Sequence, residues 1–116
     1  MNKRKKIITI THARTGELIA KGEEGWGFMP FEGNYYIRAK YIKTQGFQFT
    51  LIPGFCIYKF LYIWLNLKVK GKTEKFIAWM YVIPNPLLPF IWFRIALPRN
   101  HPCLRVDIQT LYYLNI

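Results

Sequence analysis

The sequence predicts a small, mostly-β single domain built from hairpins, with little helix. Three observations carry this prediction. Between Leu61 and Lys72, apolar and polar residues alternate: Leu61, Ile63, Leu65, Leu67 and Val69 hold one parity, and Tyr62, Trp64, Asn66, Lys68, Lys70 and Lys72 the other. That period belongs to a strand with one buried face. Glycine-bearing turn signals recur between short β-branched and aromatic runs, at residues 14–17, 32–34 and 70–73. Finally, 116 residues fit one domain, enough for a core that buries roughly two thirds of the unfolded surface.

Taken in order, residues 1–6 form a basic tail and residues 7–116 the β domain. The basic start is followed by an apolar run of only about four residues, Ile7 to Ile10. A secretory signal core needs about 7–15, so a cytoplasmic chain is expected. Residues 7–19 read as a hairpin turning at Gly16. Residues 21–27 are too glycine-rich for regular structure and should be a loop, with Trp26 pinning it to the core. Residues 31–42 are extended, with a turn at Glu32-Gly33-Asn34 and room for a helical turn at 38–42. Phe47, Phe49 and Leu51 alternate with polar residues as a strand, broken by Pro53-Gly54. Residues 55–69 form a long strand, split near Lys59, and residues 76–82 pair back on it. Asn85-Pro86-Leu87-Leu88-Pro89 is a stiff turn. Residues 90–97 suit a strand or two helical turns. Residues 103–109 form a last strand, and the apolar tail 110–116 docks. About seven strands result.

Composition narrows the function classes. Hydrophobic residues make up 52% and charged residues 20%, which excludes wholesale disorder. Two apolar stretches, 51–69 and 76–98, raise a membrane question. A spanning helix needs about 20 continuous apolar residues. Pro84, Pro86 and Pro89 break the second stretch, and the strand period disqualifies the first. The chain carries 17 Lys and Arg against 6 Asp and Glu, a net charge of +11. Six carboxylates leave little scope for two-metal phosphoryl transfer. Two cysteines and two histidines, without ligand-like spacing, give no metal site, and no cofactor motif occurs.

Lys59 stands out because it is embedded in Phe55, Cys56, Ile57, Tyr58, Phe60 and Leu61. It must snorkel, pair with an acid, or line a cavity. Glu32, among aromatics, is the best single acid.

Around these residues the chain resembles a known family. Phe31-Glu32-Gly33-Asn34-Tyr35-Tyr36 is similar to the EGNxYF-like start of the proteins called domain of unknown function 427. Cys56-Ile57-Tyr58-Lys59 resembles that family's C-P-W-K-G motif, and Trp64 falls where its A-S-Y-Y stretch lies. Lys68-Val69-Lys70-Gly71 looks like its V-x-V-D-G turn. Ala78-Trp79-Met80-Tyr81 with Pro84-Asn85-Pro86 resembles A-A-W-x-Y-P-x-P. Ile57 replaces the motif proline and Phe60 its glycine, and two residues separate Tyr81 from Pro84. The resemblance covers residues 16–108 and implies an all-β tent of two sheets, similar to the Mss4-like group. It implies candidate positions at Glu32, Asn34, Tyr36, Cys56, Lys59 and Trp79. A nucleotidyltransferase activity sometimes attached to that family finds no support in the acids of this chain.

Three functional expectations follow. The first is a ligand-binding cleft between the sheets, lined by those six residues and taking an unidentified small ligand; whether it is catalytic the sequence does not decide. The second is a nucleic-acid-binding module using the stripe Lys68, Lys70 and Lys72. The third is a peripheral subunit on an anionic membrane surface or in an assembly. A homo-oligomer is expected through the segment that opens at Pro84 and closes at Leu97, where Leu87, Leu88, Phe90, Ile91, Trp92 and Phe93 leave no polar face.

Overall fold

A computed structural model describes residues 2–57 and 59–114. Among them nine strands form two antiparallel sheets: β1 (Asn2–His12), β2 (Leu18–Glu23), β3 (Phe28–Phe31), β4 (Asn34–Ile37), β5 (Phe47–Cys56), β6 (Phe60–Val69), β7 (Lys72–Pro84), β8 (Ile95–Pro98) and β9 (Leu104–Leu114). Two 3-10 turns, Ala39–Tyr41 and Pro89–Ile91, are the helical content of these residues. The smaller sheet has the order β2-β1-β9 and the larger β3-β4-β8-β7-β6-β5. No helix among the described residues is long and apolar enough to cross a membrane.

Each expected hairpin is present, because turn chemistry and strand period agree. Gly16 takes φ 75° in the β1–β2 turn. Glu32-Gly33 (φ 52° and 79°) and Lys70-Gly71 (φ 48° and 83°) are two-residue turns with both residues left-handed, the geometry whose twist matches paired strands. The helical turn at 38–42 and the break near Lys59 are also found.

Other elements differ from expectation. Residues 2–6 are not a tail: they open β1 and pair with residues 110–114 of β9. The apolar tail thus docks as a strand, and its last two residues, Asn115 and Ile116, lie outside the described residues. Strand β2 continues through Gly22 to Glu23, since β1 supplies partners across that glycine. Strand β5 runs through Pro53-Gly54, which produce a register shift rather than an end. Residues 90–97 divide into a 3-10 turn and β8 instead of one element. Trp26 is 55% exposed; its ring meets Phe90 edge-on and carries the Arg94 guanidinium over its face rather than entering the core.

The sheets enclose the main core. Ile8, Ile10, Ile19 and Leu104 of the smaller sheet meet Tyr35, Ile37, Leu65, Leu67, Ala78 and Leu97 of the larger. The alternation of β6 therefore has its expected outcome: Leu65, Leu67 and Val69 are buried, whereas Lys68 is exposed. Gly46 allows β5 to approach β6, because a Cβ there would run into the Lys68 carbonyl. The opposite face of the larger sheet carries a second cluster, Tyr36, Tyr81, Ile91 and Ala96, with Phe31, Cys56, Tyr62, Trp79, Leu88 and Phe90 packed around it. The β7–β8 connection folds over part of that outer face.

Candidate ligand site

The six candidate positions come together around Tyr36, on the outer face of the larger sheet. Among the described residues the space between the sheets is taken up by the main core, and the six positions lie on the other side of the larger sheet rather than in the cleft expected between the sheets. Tyr36 is central in β4, with Tyr35 and Ile37 turned the opposite way into the main core. Ala96 on β8 pairs with both Tyr36 and Trp79. Its single methyl lets the two large side chains meet across β8. Asn34 begins β4, and its Nδ2 donates to the Glu32 carbonyl at 3.3 Å, bracing the turn. Cys56 ends β5 against the same cluster.

Lys59 enters from the turn between β5 and β6 and is 7% exposed. Its Nζ lies 2.5 Å from Glu32 Oε1. The same ammonium sits 5.2 Å from the ring centroid of Phe31 and 5.9 Å from that of Tyr36. Of the readings open for Lys59, pairing with an acid is the one realised, and aromatic faces add to it. The Glu32 side chain is 55% exposed, so the pair runs from the interior to solvent. Tyr58, the remaining residue of the Cys56–Lys59 motif, lies outside the described residues.

Burial sets the electrostatics here. The Tyr36 hydroxyl is pushed up to about 12, first by burial and then by the Glu32 charge, while polar groups of Trp79 and Asn34 pull the other way. It is enclosed and completes no hydrogen bond of good geometry. Tyr81, 6.4 Å away between ring centroids, is raised for the same leading reason.

Beside the ion pair opens a cleft of about 390 Å³, lined by Phe31, Glu32, Asn85, Leu87 and Leu88. The Asn85 side chain accepts the Leu87 N–H at 2.9 Å, and its carbonyl accepts the Leu88 N–H at 3.0 Å and the Trp92 Nε1–H at 2.9 Å. This network holds Leu87 and Leu88 in a tight turn. The sequence marked 85–89 as a stiff turn, but not as a wall of the site. Lys68, Lys70 and Lys72 are all exposed at the β6–β7 hairpin end, apart from these residues, but they do not form one stripe: Lys70 lies in the turn, and Lys72 pairs with the core residue Val69, on the face opposite Lys68. Among the described residues, no group of three or more His, Cys, Asp or Glu is placed to hold a metal ion.

No family model and no curated protein matches the chain. Its function is therefore read from these residues.

Proposed function

We propose that this chain is a small-ligand-binding β domain whose site is the cleft beside the Lys59–Glu32 pair. The reading rests on one observation: an ammonium almost wholly removed from water is neutralised by a carboxylate that is itself half in solvent. A buried cation requires an anion, and Glu32 is the exchangeable member of the pair. An incoming carboxylate can take its place on Lys59 and lay an apolar body along Phe31, Leu87 and Leu88. The ligand class is thus a small amphipathic acid.

The resemblance to domain of unknown function 427 supports the same reading, since its motif positions map onto these six residues. Kinship with that family, and with Mss4-like tents, belongs to the proposal. No reaction is assigned.

The test is calorimetric titration with a series of aryl and alkyl carboxylates and their isosteric amides. Carboxylates should bind and amides should not. Lys59→Met should weaken binding about tenfold or more, the loss of one charge-assisted contact, and Leu87→Glu should weaken it by repelling the same acid. A chain indifferent to the whole carboxylate series lacks the proposed site.

A further inference from the structure

Lysines of the β6–β7 hairpin and the aromatic residues beside them form a second surface, separate from the cleft. On the outer face of the larger sheet, Tyr62 pairs with Tyr81 and Trp64 with Trp79 across β6 and β7. Trp64 lies 5.7 Å from Trp79 and 5.9 Å from Phe76 between ring centroids, both edge-on. Tyr62 meets Trp64 edge-on as well, at 5.4 Å, and Trp64 remains half-buried beside the exposed Phe76. Further along β6 on this face come Asn66 and Lys68, since Leu67 and Val69 point into the main core.

Phe76 is the informative residue. It is 44% exposed and adopts φ 55°, a conformation that a bulky non-glycine residue rarely holds. It sits in a bulge of β7 opposite Asn66, where the register slips. The Asn66 side chain accepts the Phe76 N–H at 2.9 Å, replacing the ladder bond that the bulge removes. Bulges of this kind re-aim a side chain, and strained residues persist where the surroundings hold them. Here the result is an aromatic ring held out toward solvent beside Trp64.

The charges are one-sided. From residue 60 to residue 84 the chain has four lysines, at 68, 70, 72 and 75, and a single acid, Glu74. Glu74 pairs in register with the core residue Leu67 and faces His12 with a side chain only 13% exposed. The four lysines are exposed, so no carboxylate of this hairpin competes for them at the surface.

We infer that the outer face of the β6–β7 hairpin binds single-stranded nucleic acid, with bases stacking on Phe76 and Trp64 and phosphates held by Lys68 and Lys75 and by Lys70 in the turn; Lys72, which pairs with the core residue Val69, lies on the other face. Exposed rings on a sheet, bordered by basic side chains, are what an unpaired strand requires and a duplex cannot use, because its bases are already stacked. An anionic membrane would engage the lysines and could also accept an aromatic ring, but binding there grows with a broad buried apolar face, whereas this face offers one exposed ring, Phe76, among polar and basic side chains.

The experiment follows tryptophan fluorescence on titration with an oligothymidylate of about 12 nucleotides, within the usual site size. The log of affinity should fall against log salt with a slope of roughly −2, as expected for three phosphate contacts on a single strand. Phe76→Asn relieves the left-handed strain, because Asn tolerates that region; it should fold at least as well and bind about tenfold more weakly. The pair Lys68→Glu and Lys70→Glu should lower affinity further and flatten the salt slope. Trp64→Ala is avoided as a sole test because Trp64 also packs. Binding to a duplex or to heparin as tight as to the single strand, with Phe76→Asn unchanged, would reduce the surface to a charge effect and overturn the inference. So would binding to anionic vesicles in preference to the oligonucleotide, or no binding at low salt. Lys59→Met leaves this surface intact, so failure of the cleft and failure of the hairpin are read separately.

Discussion

Lys59 shows how one residue is held where solvation opposes it. Removing an ammonium from water costs several kcal/mol even after relaxation. The Glu32 carboxylate at 2.5 Å and the faces of Phe31 and Tyr36 offset that cost. The two partners are not equivalent, because Glu32 is half in water and Lys59 is not. Removing the acid strands the cation, while removing the cation merely frees the acid. Glu32→Ala should therefore destabilise the fold by about 1–2 kcal/mol, less than the roughly 3–5 for a fully buried pair because solvent screens the exposed member. Lys59→Met keeps the stem and removes the charge, and should change stability by less than about 1 kcal/mol. Urea denaturation of the two variants measures the order. A Lys59→Met variant less stable than Glu32→Ala would mean that the pair itself, rather than relief of desolvation, holds this turn.

At the scale of elements, the seam between the sheets is the part most exposed to pH. His12 of β1 is fully buried, with Nδ1 on the Thr15 hydroxyl at 2.9 Å and Nε2 3.9 Å from Glu74 Oε2 of β7. Glu74 also accepts a hydrogen bond from the Cys103 thiol, which holds its carboxyl below the usual range against the opposing effect of burial; His12, Arg14 and His101 add to the lowering. The same bond raises the Cys103 thiol. A lowered carboxyl contributes stability above its unfolded pKa, about 4.3, and loses it as pH falls through the folded value. A raised thiol contributes below its unfolded pKa, about 8.5, and loses it as pH rises through the folded value. Stability should thus hold a plateau between those limits and fall on both sides. Cys103→Ala should remove the alkaline fall and shrink the acid one, as read by urea midpoints from pH 3 to about 10. A Cys103→Ala profile superimposable on that of the parent would dissociate the thiol from Glu74.

This seam also marks where the sequence stops being legible. The β6–β7 hairpin could be read because its period and its turn agree residue by residue. Glu74 lies in that same polar turn between Lys72 and Lys75 and looks like one more solvated charge. It turns inward because the two-residue turn at Lys70-Gly71 pairs it with Leu67; what nothing in the sequence announces is the left-handed Phe76, whose bulge resets the register of the strand beyond it. Likewise an acid partner was only one of three readings open for Lys59, beside snorkelling and lining a cavity, and its realisation with Glu32 depended on a sheet order in which β3 and β4 join β7 through β8. Strand periods do not encode that order. The buried face of a strand is a local property, whereas the location of the cleft, outside the larger sheet rather than between the sheets, depends on what covers each face.

For the whole molecule, the open question of chemistry is where the remaining apolar surface goes. The segment from Pro84 to Leu97 was expected to be a contact, and part of it is core: Ile91, Ala96 and Leu97 are fully buried. What remains outside is Leu87 at 83%, Trp92 at 40% and Phe93 at 63% exposure, and Phe93 is turned out by φ 52°. Strand β5 adds Phe49, Leu51, Ile52 and Phe55 on an open sheet edge, with no charge anywhere in its ten residues. Monomers usually avoid such edges or guard them with charge. A chain of net charge +11 repels its own copies, and salt screens that repulsion within about 8 Å at physiological strength. Self-association through Leu87, Trp92 and Phe93 should therefore tighten as salt rises, opposite in sign to nucleic-acid binding. Sedimentation at micromolar concentration should find a dimer whose share grows with salt, and Phe93→Glu, at an exposed position, should return it to monomer without lowering the melting temperature. If the parent stays monomeric at every salt concentration, these side chains are surface without a partner copy; if a salt-strengthened dimer survives Phe93→Glu, the contact lies elsewhere, with the uncharged β5 edge next in line.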